Sequence, residues 1–220
     1  MTIQTRRQFL ALGGGLLGTA ALAGCAGLGS SSFGQANSLH SISPEERRRQ
    51  RFVNNPLLTH DGQEVRFYDD LLKDKTVLIN FMYVMCKNEG FCPMMSFNLS
   101  KVQAMLGDRL GKDVFMYSIT LDPENDTPEI LASYASLFKA KPGGWRFITG
   151  SKENINAVRG SLGFRWANPK QDSNKQEHIG ILKYGIEPLE RWGTCPALSA
   201  PEAITAYLDW MRPHGERPLG

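Results

Sequence analysis

The stretch TVLINFMY at residues 76–83 is followed closely by CKNEGFCP at residues 86–93, and these two stretches decide the fold. The first is almost continuously apolar and starts with β-branched residues, which predicts a central strand buried on both faces. A helix is predicted from Pro93 to about Leu106, because proline favours the first helical position. The stretch DVFMYSIT at residues 113–120 predicts a second buried strand, which completes a βαβ unit.

The elements around this unit predict a single α/β domain. Asp61 and Gly62 lie between two short apolar runs and predict an N-terminal β-hairpin. The same reasoning predicts a strand at residues 145–149, a hairpin within residues 179–192, and helices at residues 127–138, 151–162 and 201–211. This order of elements predicts a thioredoxin-like central sheet with flanking helices and an added N-terminal β-hairpin.

Composition places the chain among ordinary globular proteins. It has 220 residues, of which 41% are hydrophobic and 21% charged, so it can form one domain with appendages. These values exclude collagen, a coiled coil and wholesale disorder. The net charge is only +3, and Arg6 and Arg7 lie in a segment predicted to be removed. We therefore expect no nucleic-acid partner.

The N-terminus resembles a twin-arginine export signal. Arg6 and Arg7 precede an uncharged, largely apolar stretch at residues 9–23, which is too short and too rich in glycine for a permanent membrane span. The sequence LAGC ending at Cys25 is typical of a bacterial lipobox, in which the cysteine becomes acylated. Cleavage after Ala23, with Cys25 left as a thiol, is the alternative. We expect an exported protein on the periplasmic side of a bacterial membrane, anchored by lipid at Cys25.

Three segments follow from these observations. Residues 1–24 are predicted to be the signal, residues 25–54 a flexible tether rich in small and polar residues, and residues 55–220 the thioredoxin-like domain. Four arginines lie between positions 47 and 51 of the tether. They favour a short solvated helix that starts near Ser43 over a contact with anionic lipid.

Cys86 and Cys92 lie in the loop after the first central strand, where α/β proteins bind their ligands. If the helix starts at Pro93, Cys92 is its N-cap, which predicts a lowered thiol pKa. The cysteine pair alone is equally compatible with a disulfide that staples the loop and with a functional site. His178 supplies a third donor, and two thiolates with one imidazole suit copper, or else zinc. The three remaining histidines are interpreted as bystanders: His40, His60 and His214.

Several blocks in order carry a resemblance to a known family. They are VLINFMY, the loop that ends in Cys92-Pro93, DVFMYSITLDPENDTPE, GWRFITG, and His178 before a strand. Over residues 56–192 the chain resembles the SCO/SenC family of copper-binding, thioredoxin-fold assembly factors of cytochrome c oxidase. The resemblance implies a membrane-tethered domain that binds copper through Cys86, Cys92 and His178. It also implies that the copper-bearing subunit of the oxidase is the partner.

The acidic turn LDPENDTP at residues 121–128 matches the family as well. Within it, Asp122 is a candidate for supporting the metal ligands or contacting the partner, although a helix-capping loop is the simpler interpretation.

The loop departs from the family pattern in one respect. Five residues separate the cysteines here, whereas the resemblance implies three, so the loop has to fold back to bring the sulfurs together. Three methionines flank the cysteines, and we interpret them as packing residues in preference to auxiliary Cu(I) ligands: Met85, Met94 and Met95. Cys195 is left over and is predicted to be buried and inert, with thiol exchange as the alternative.

The first hypothesis is a copper metallochaperone, which transfers its ion without catalytic turnover. The alternative is a thiol-disulfide oxidoreductase in which Cys86 and Cys92 are the redox pair, or a redox or copper sensor. His178 would then be dispensable. A peroxiredoxin-like role would need an activating residue near the thiol, and the sequence does not place Arg66 or Arg146 there. A purely structural disulfide is the remaining interpretation.

Overall fold

The computed structural model describes residues 42–86, 90–177 and 179–216, and within these ranges seven strands form one mixed sheet. In chain order they are β1 (Pro56–Thr59), β2 (Glu64–Arg66), β3 (Thr76–Met82), β4 (Val114–Thr120), β5 (Trp145–Thr149), β6 (Ile181–Ile186) and β7 (Arg191–Pro196). Their spatial order is β2-β1-β5-β4-β3-β6-β7. The N-terminal hairpin β1–β2 therefore extends one edge of the sheet, and the hairpin β6–β7 extends the other.

Strand β3 lies inside the sheet and is buried along its whole length. It pairs in parallel with β4, and β4 pairs in parallel with β5. Val77 and Ile79 face one core layer while Leu78 and Met82 face the other, which explains the continuous apolar run. The carboxyl ends of three parallel strands consequently meet at one edge of the sheet.

Helices cover both faces of the sheet. They are α1 (Pro44–Arg51), α2 (Phe91–Leu106), α3 (Pro128–Leu137), α4 (Lys152–Ser161), α5 (Pro169–Asp172) and α6 (Pro201–Trp210). Helices α2, α3 and α6 bury apolar side chains in one core layer, and α4 packs in the other layer with a π-helical turn at Phe67–Leu72. The predicted thioredoxin-like sheet with an added hairpin is confirmed.

Helix α1 lies inside the segment 25–54 and is held against the domain by ion pairs. Ser43 caps it by accepting a backbone hydrogen bond at 3.1 Å, and the predicted short helix is confirmed. Arg48 donates to the Glu187 carboxylate at 3.1 Å, and the Tyr68 hydroxyl donates to the same carboxylate at 2.7 Å. Glu187 is buried beside the start of β3, so this contact fixes α1 at the end of the sheet opposite the parallel strand ends.

Several predicted features fall outside the described residues: the export signal, Cys25 with the tether as far as residue 41, His40, and His178. Among the helices that the structure describes, none combines the length and the apolar character needed to cross a bilayer.

Candidate metal centre

The cysteine pair lies at the carboxyl end of β3. Cys86 follows the strand and is partly exposed, whereas Cys92 lies in the first turn of α2 and is fully buried. Their two side chains are hydrogen-bonded to each other. The loop therefore brings the thiols together despite its five intervening residues. This contact allows the pair either to share a soft metal ion or to form a disulfide.

Helix α2 begins two residues earlier than the sequence predicted, and this changes the environment of Cys92. Gly90, with a φ of 76°, is the N-cap, and Phe91 is the first helical residue. Burial raises the pKa of the Cys92 thiol; its hydrogen bond with Cys86 raises the pKa further, while the Tyr83 N–H lowers it. The predicted lowering of the pKa is wrong because the thiol points into the core and does not cap the helix.

A buried carboxyl group supports the turn that leads to Cys86. The Val84 N–H donates to Asp126 at 3.1 Å, and the Thr120 hydroxyl donates to the same carboxylate oxygen. Burial raises the pKa of Asp126. The sequence analysis singled out Asp122 in this turn and missed Asp126. Nothing in the sequence distinguishes the two, because the role of Asp126 depends on a contact with a strand end 42 residues away.

Asp122 contacts the segment that precedes residue 178. Lys175 donates to its carboxylate at 2.6 Å, and the Trp166 indole donates to the Glu177 carbonyl at 2.6 Å. Although burial raises the pKa of Asp122, the hydrogen bonds from Lys175 and Asn125 outweigh burial, so that its pKa lies below the usual value. The chain immediately before residue 178 is thus attached to the turn after β4.

The chain immediately after residue 178 approaches the cysteine pair. A Cβ atom added to Gly180 would lie 2.5 Å from Cζ of Phe91, so the ring lies directly against the Gly180 backbone. Phe91 precedes Cys92 in α2. His178 itself stays a predicted ligand, but a described contact joins its neighbourhood to the helix that carries Cys92.

The three methionines divide between core and surface. Met95 is fully buried, as its packing interpretation requires. Met85 and Met94 are 73% and 48% exposed, so the packing interpretation is wrong for them. Met94 lies two residues after Cys92 in the helix and therefore points away from the buried thiol. Met85 lines an open cavity of about 590 Å³ together with Asp126.

Cysteine and histidine ligands beyond the pair are sparse in the described part of the chain. Within residues 42–86, 90–177 and 179–216, no group of three His, Cys, Asp or Glu side chains could hold a metal ion. His60 accepts a hydrogen bond from the Phe147 N–H at 3.1 Å, which agrees with its bystander interpretation. A three-ligand site at the cysteine pair would therefore need a donor from outside these ranges, and residue 178 is the candidate.

The fold and the pair define the class: a thioredoxin-like domain with two adjacent thiols where its central parallel strand ends. A family described as SCO1/SenC matches residues 45–182. The chain belongs to the SCO1/SenC family.

Similar proteins come from bacteria and from eukaryotes. The SCO1 protein homolog of Bacillus subtilis is 31% identical over 94 residues, which are 43% of this chain and 46% of that protein. The chain spans about half the length of the curated relatives it matches.

Solved structures agree with the fold. That of Bradyrhizobium japonicum ScoI with copper bound is 25% identical, with a TM-score of 0.57 over 73% of this chain and 99% of the other. That of a SCO1/SenC family lipoprotein from Bacillus anthracis is 22% identical, with a TM-score of 0.59 over 73% of this chain and 94% of the other.

Proposed function

We propose that the protein is a copper metallochaperone that holds its ion through Cys86, Cys92 and His178 and transfers it to the copper-bearing subunit of cytochrome c oxidase. The observation that carries the proposal is the direct contact between the Cys86 and Cys92 thiols at the carboxyl end of β3. Two soft donors in contact suit copper. The relative ScoI, whose structure holds copper, supports the choice of ion.

The environment of the thiols fits transfer better than permanent storage. Cys92 is buried in the core, whereas Cys86 is partly exposed and directly follows Met85, which lines an open cavity. An incoming ligand can therefore reach the ion from the Cys86 side. Because thiols must lose their protons to bind a metal, uptake releases protons, and it also requires the pair to be reduced. Three protein ligands leave a position open for the ligand of the recipient.

Tethering to the periplasmic side of a bacterial membrane through an acylated Cys25 is part of the proposal. It is supported by the paired arginines, by the short apolar stretch and by the LAGC sequence at residues 22–25. Helix α1 is attached at the end of the sheet opposite the cysteine pair.

A copper titration tests the proposal. The reduced full-length protein should bind one copper ion per chain and show sulfur-to-Cu(II) charge-transfer absorption. Cys86→Ser and Cys92→Ser should abolish that absorption, and His178→Ala should weaken Cu(II) binding sharply while the disulfide still forms. Cys195→Ser and His60→Ala are matched controls, because they remove a thiol and an imidazole away from the pair. Binding that is unchanged in His178→Ala would contradict the three-ligand site.

Thiol-disulfide exchange is the second candidate, and the contact between the two thiols favours it as well. Only Cys86 is open to an external disulfide, because Cys92 is fully buried. In this role Cys86 would attack the substrate disulfide and Cys92 would resolve the mixed disulfide, which leaves the enzyme pair oxidised and the substrate reduced. Rapid reduction of a protein disulfide, equal in the wild type and in His178→Ala, would favour this function over copper transfer.

A further inference from the structure

The contact between Phe91 and Gly180 depends on the absence of a side chain at position 180. A Cβ atom there would lie 2.5 Å from one atom of the Phe91 ring, closer than a Cβ atom can approach, and 3.0 Å from a second. The φ of Gly180 lies outside the left-handed region, so its backbone conformation is open to any residue. Glycine is therefore needed at this position for space and not for backbone freedom.

The backbone on both sides of the contact is held in place. The Ala197 N–H donates to the Gly180 carbonyl at 3.0 Å. From helix α2, the Asn98 side chain donates to the Ala197 and Ser199 carbonyls at 3.1 Å and 2.8 Å. These bonds tie Gly180 and α2 to the same segment. A methyl group at position 180 would consequently push apart the start of α2, which carries the Phe91 ring, and the backbone around Gly180.

We infer that Phe91 and Gly180 are positioning residues for the copper site. Phe91 directly precedes the buried Cys92, and Gly180 lies two residues after His178. The ring seated on Gly180 sets the distance between the start of helix α2 and the backbone at Gly180, two residues after the proposed ligand. This inference rests on the proposed function, since it assigns a role to the contact only if Cys92 and His178 share an ion.

The segment before residue 178 has its own attachment. The Trp166 indole and the Asp122 carboxylate hold Glu177 and Lys175, respectively. On the other side of residue 178 in the sequence, the Phe91 contact and the Ala197 hydrogen bond both hold Gly180. Loss of the contact between Phe91 and Gly180 would leave the Cys86 and Cys92 thiols in contact. It would affect only the positioning of the third proposed donor, His178.

The test is Gly180→Ala in the full-length protein, with Cu(II) affinity measured by competition with a chelator. We expect affinity to fall about tenfold to a hundredfold, as for other residues that orient metal ligands, with an altered charge-transfer band. Formation of the Cys86–Cys92 disulfide should stay at the wild-type rate, because it does not need residue 178. The double variant G180A/F91L should recover part of the affinity, since leucine lacks the ring atoms that meet the new methyl group.

Gly193→Ala is the matched control. A Cβ at Gly193 would lie 2.6 Å from Cζ of Tyr184, which is the same kind of clash on β7, within the hairpin body. It should leave Cu(II) affinity unchanged even if it lowers stability. Wild-type affinity in Gly180→Ala, or an equal loss in both glycine variants, would overturn the positioning role alone. If the wild type binds no copper, the proposed function fails and the positioning role falls with it.

Discussion

Lys175 and Asp122 form an ion pair of 2.6 Å that joins the segment before residue 178 to the turn after β4. The Asp122 side chain is 11% exposed and the Lys175 side chain 45%. The pair therefore links the segment before the proposed ligand His178 to the acidic turn in which Asp122 is a candidate for supporting the metal ligands. If His178 binds copper, this ion pair should help to position it.

Lys175→Met should reduce Cu(II) affinity by about tenfold, because residue 178 would lose an attachment three residues away. The free energy of unfolding should change by less than about 1 kcal/mol, since the lysine is half exposed. Copper competition and urea unfolding measure the two quantities. Lys152→Met is the control: Lys152 pairs with Glu124 of the same turn at 3.1 Å, but both side chains are well exposed. Equal losses of affinity in the two variants would point to a general charge effect and contradict the geometric role.

A buried chain of hydrogen bonds crosses the three parallel strands and gives a prediction for stability. The Trp145 indole donates to the Ser118 hydroxyl at 3.0 Å, which donates to Asn80 at 2.7 Å. Ser118→Ala would leave the indole N–H and an Asn80 oxygen without these partners in the core. We expect a loss of about 1–3 kcal/mol in the free energy of unfolding by urea.

Ser100→Ala is the control for that substitution, because Ser100 bonds to a carbonyl within its own helix and is not buried. It should change stability by less than about 0.5 kcal/mol. If the two serine variants were equally stable, the buried chain would carry no net stabilisation.

Much of the fold could be predicted because its signals are local. Strand β3 was predicted to within one residue, because burial of every residue from Thr76 to Met82 leaves an uninterrupted apolar run in the sequence. The start of α2 could not be predicted as well. In the sequence, a proline at the third helical position looks the same as a proline at the first. Only the left-handed backbone of Gly90 in the structure shows that α2 starts at Phe91. Because the helix starts two residues earlier, Cys92 is a core residue and not the predicted cap, and its pKa is raised where a lowered value was predicted.

The candidate site was predicted in part. The cysteines could be found from their loop after β3, but their mutual contact and the support from Asp126 depend on folding. The docking of α1 on the domain could not be predicted either, because Arg48 and its partner Glu187 are 139 residues apart in the sequence. Such pairings leave no local pattern. The sequence therefore predicted a charged helix but could not predict the surface that this helix contacts.

The hydrogen bond between Tyr68 and Glu187 makes stability depend on alkaline pH. Burial raises the pKa of Tyr68 to about 12, and the hydrogen bond to Glu187 adds to the rise. Because the folded pKa exceeds the usual value of about 10, the neutral phenol stabilises the fold fully below about pH 10. This stabilisation is lost as the pH rises towards 12.

Tyr68→Phe should therefore cost about 1 kcal/mol at neutral pH, because Glu187 loses a donor. It should also flatten the decline of stability at alkaline pH relative to the wild type. Urea unfolding at a series of pH values measures both effects. Tyr207→Phe, at a position that is 40% exposed, serves as the control and should keep the wild-type slope. A Tyr68→Phe variant with the wild-type slope would exclude Tyr68 as the source of the decline.

Cys195 should stay outside the chemistry of the other two thiols in the described domain. It lies on β7, opposite Leu182 of β6, and is only 5% exposed. Burial raises the pKa of its thiol to about 11. At pH 8 its reactive thiolate would then make up on the order of 0.1% of the population, and the surrounding core would also exclude a reagent.

We expect iodoacetamide to modify Cys195 at least about 100-fold more slowly than Cys86 in the folded, reduced protein at pH 8. Peptide mass spectrometry resolves the two sites, and urea should bring their rates together by exposing both. Fast modification in the folded state, or a disulfide-linked peptide joining Cys195 to Cys86, would contradict the prediction. Protection of Cys195 would mean that, among the three cysteines of the described domain, oxidation reports on Cys86 and Cys92 alone. The copper capacity and the disulfide content of the domain could then be compared directly.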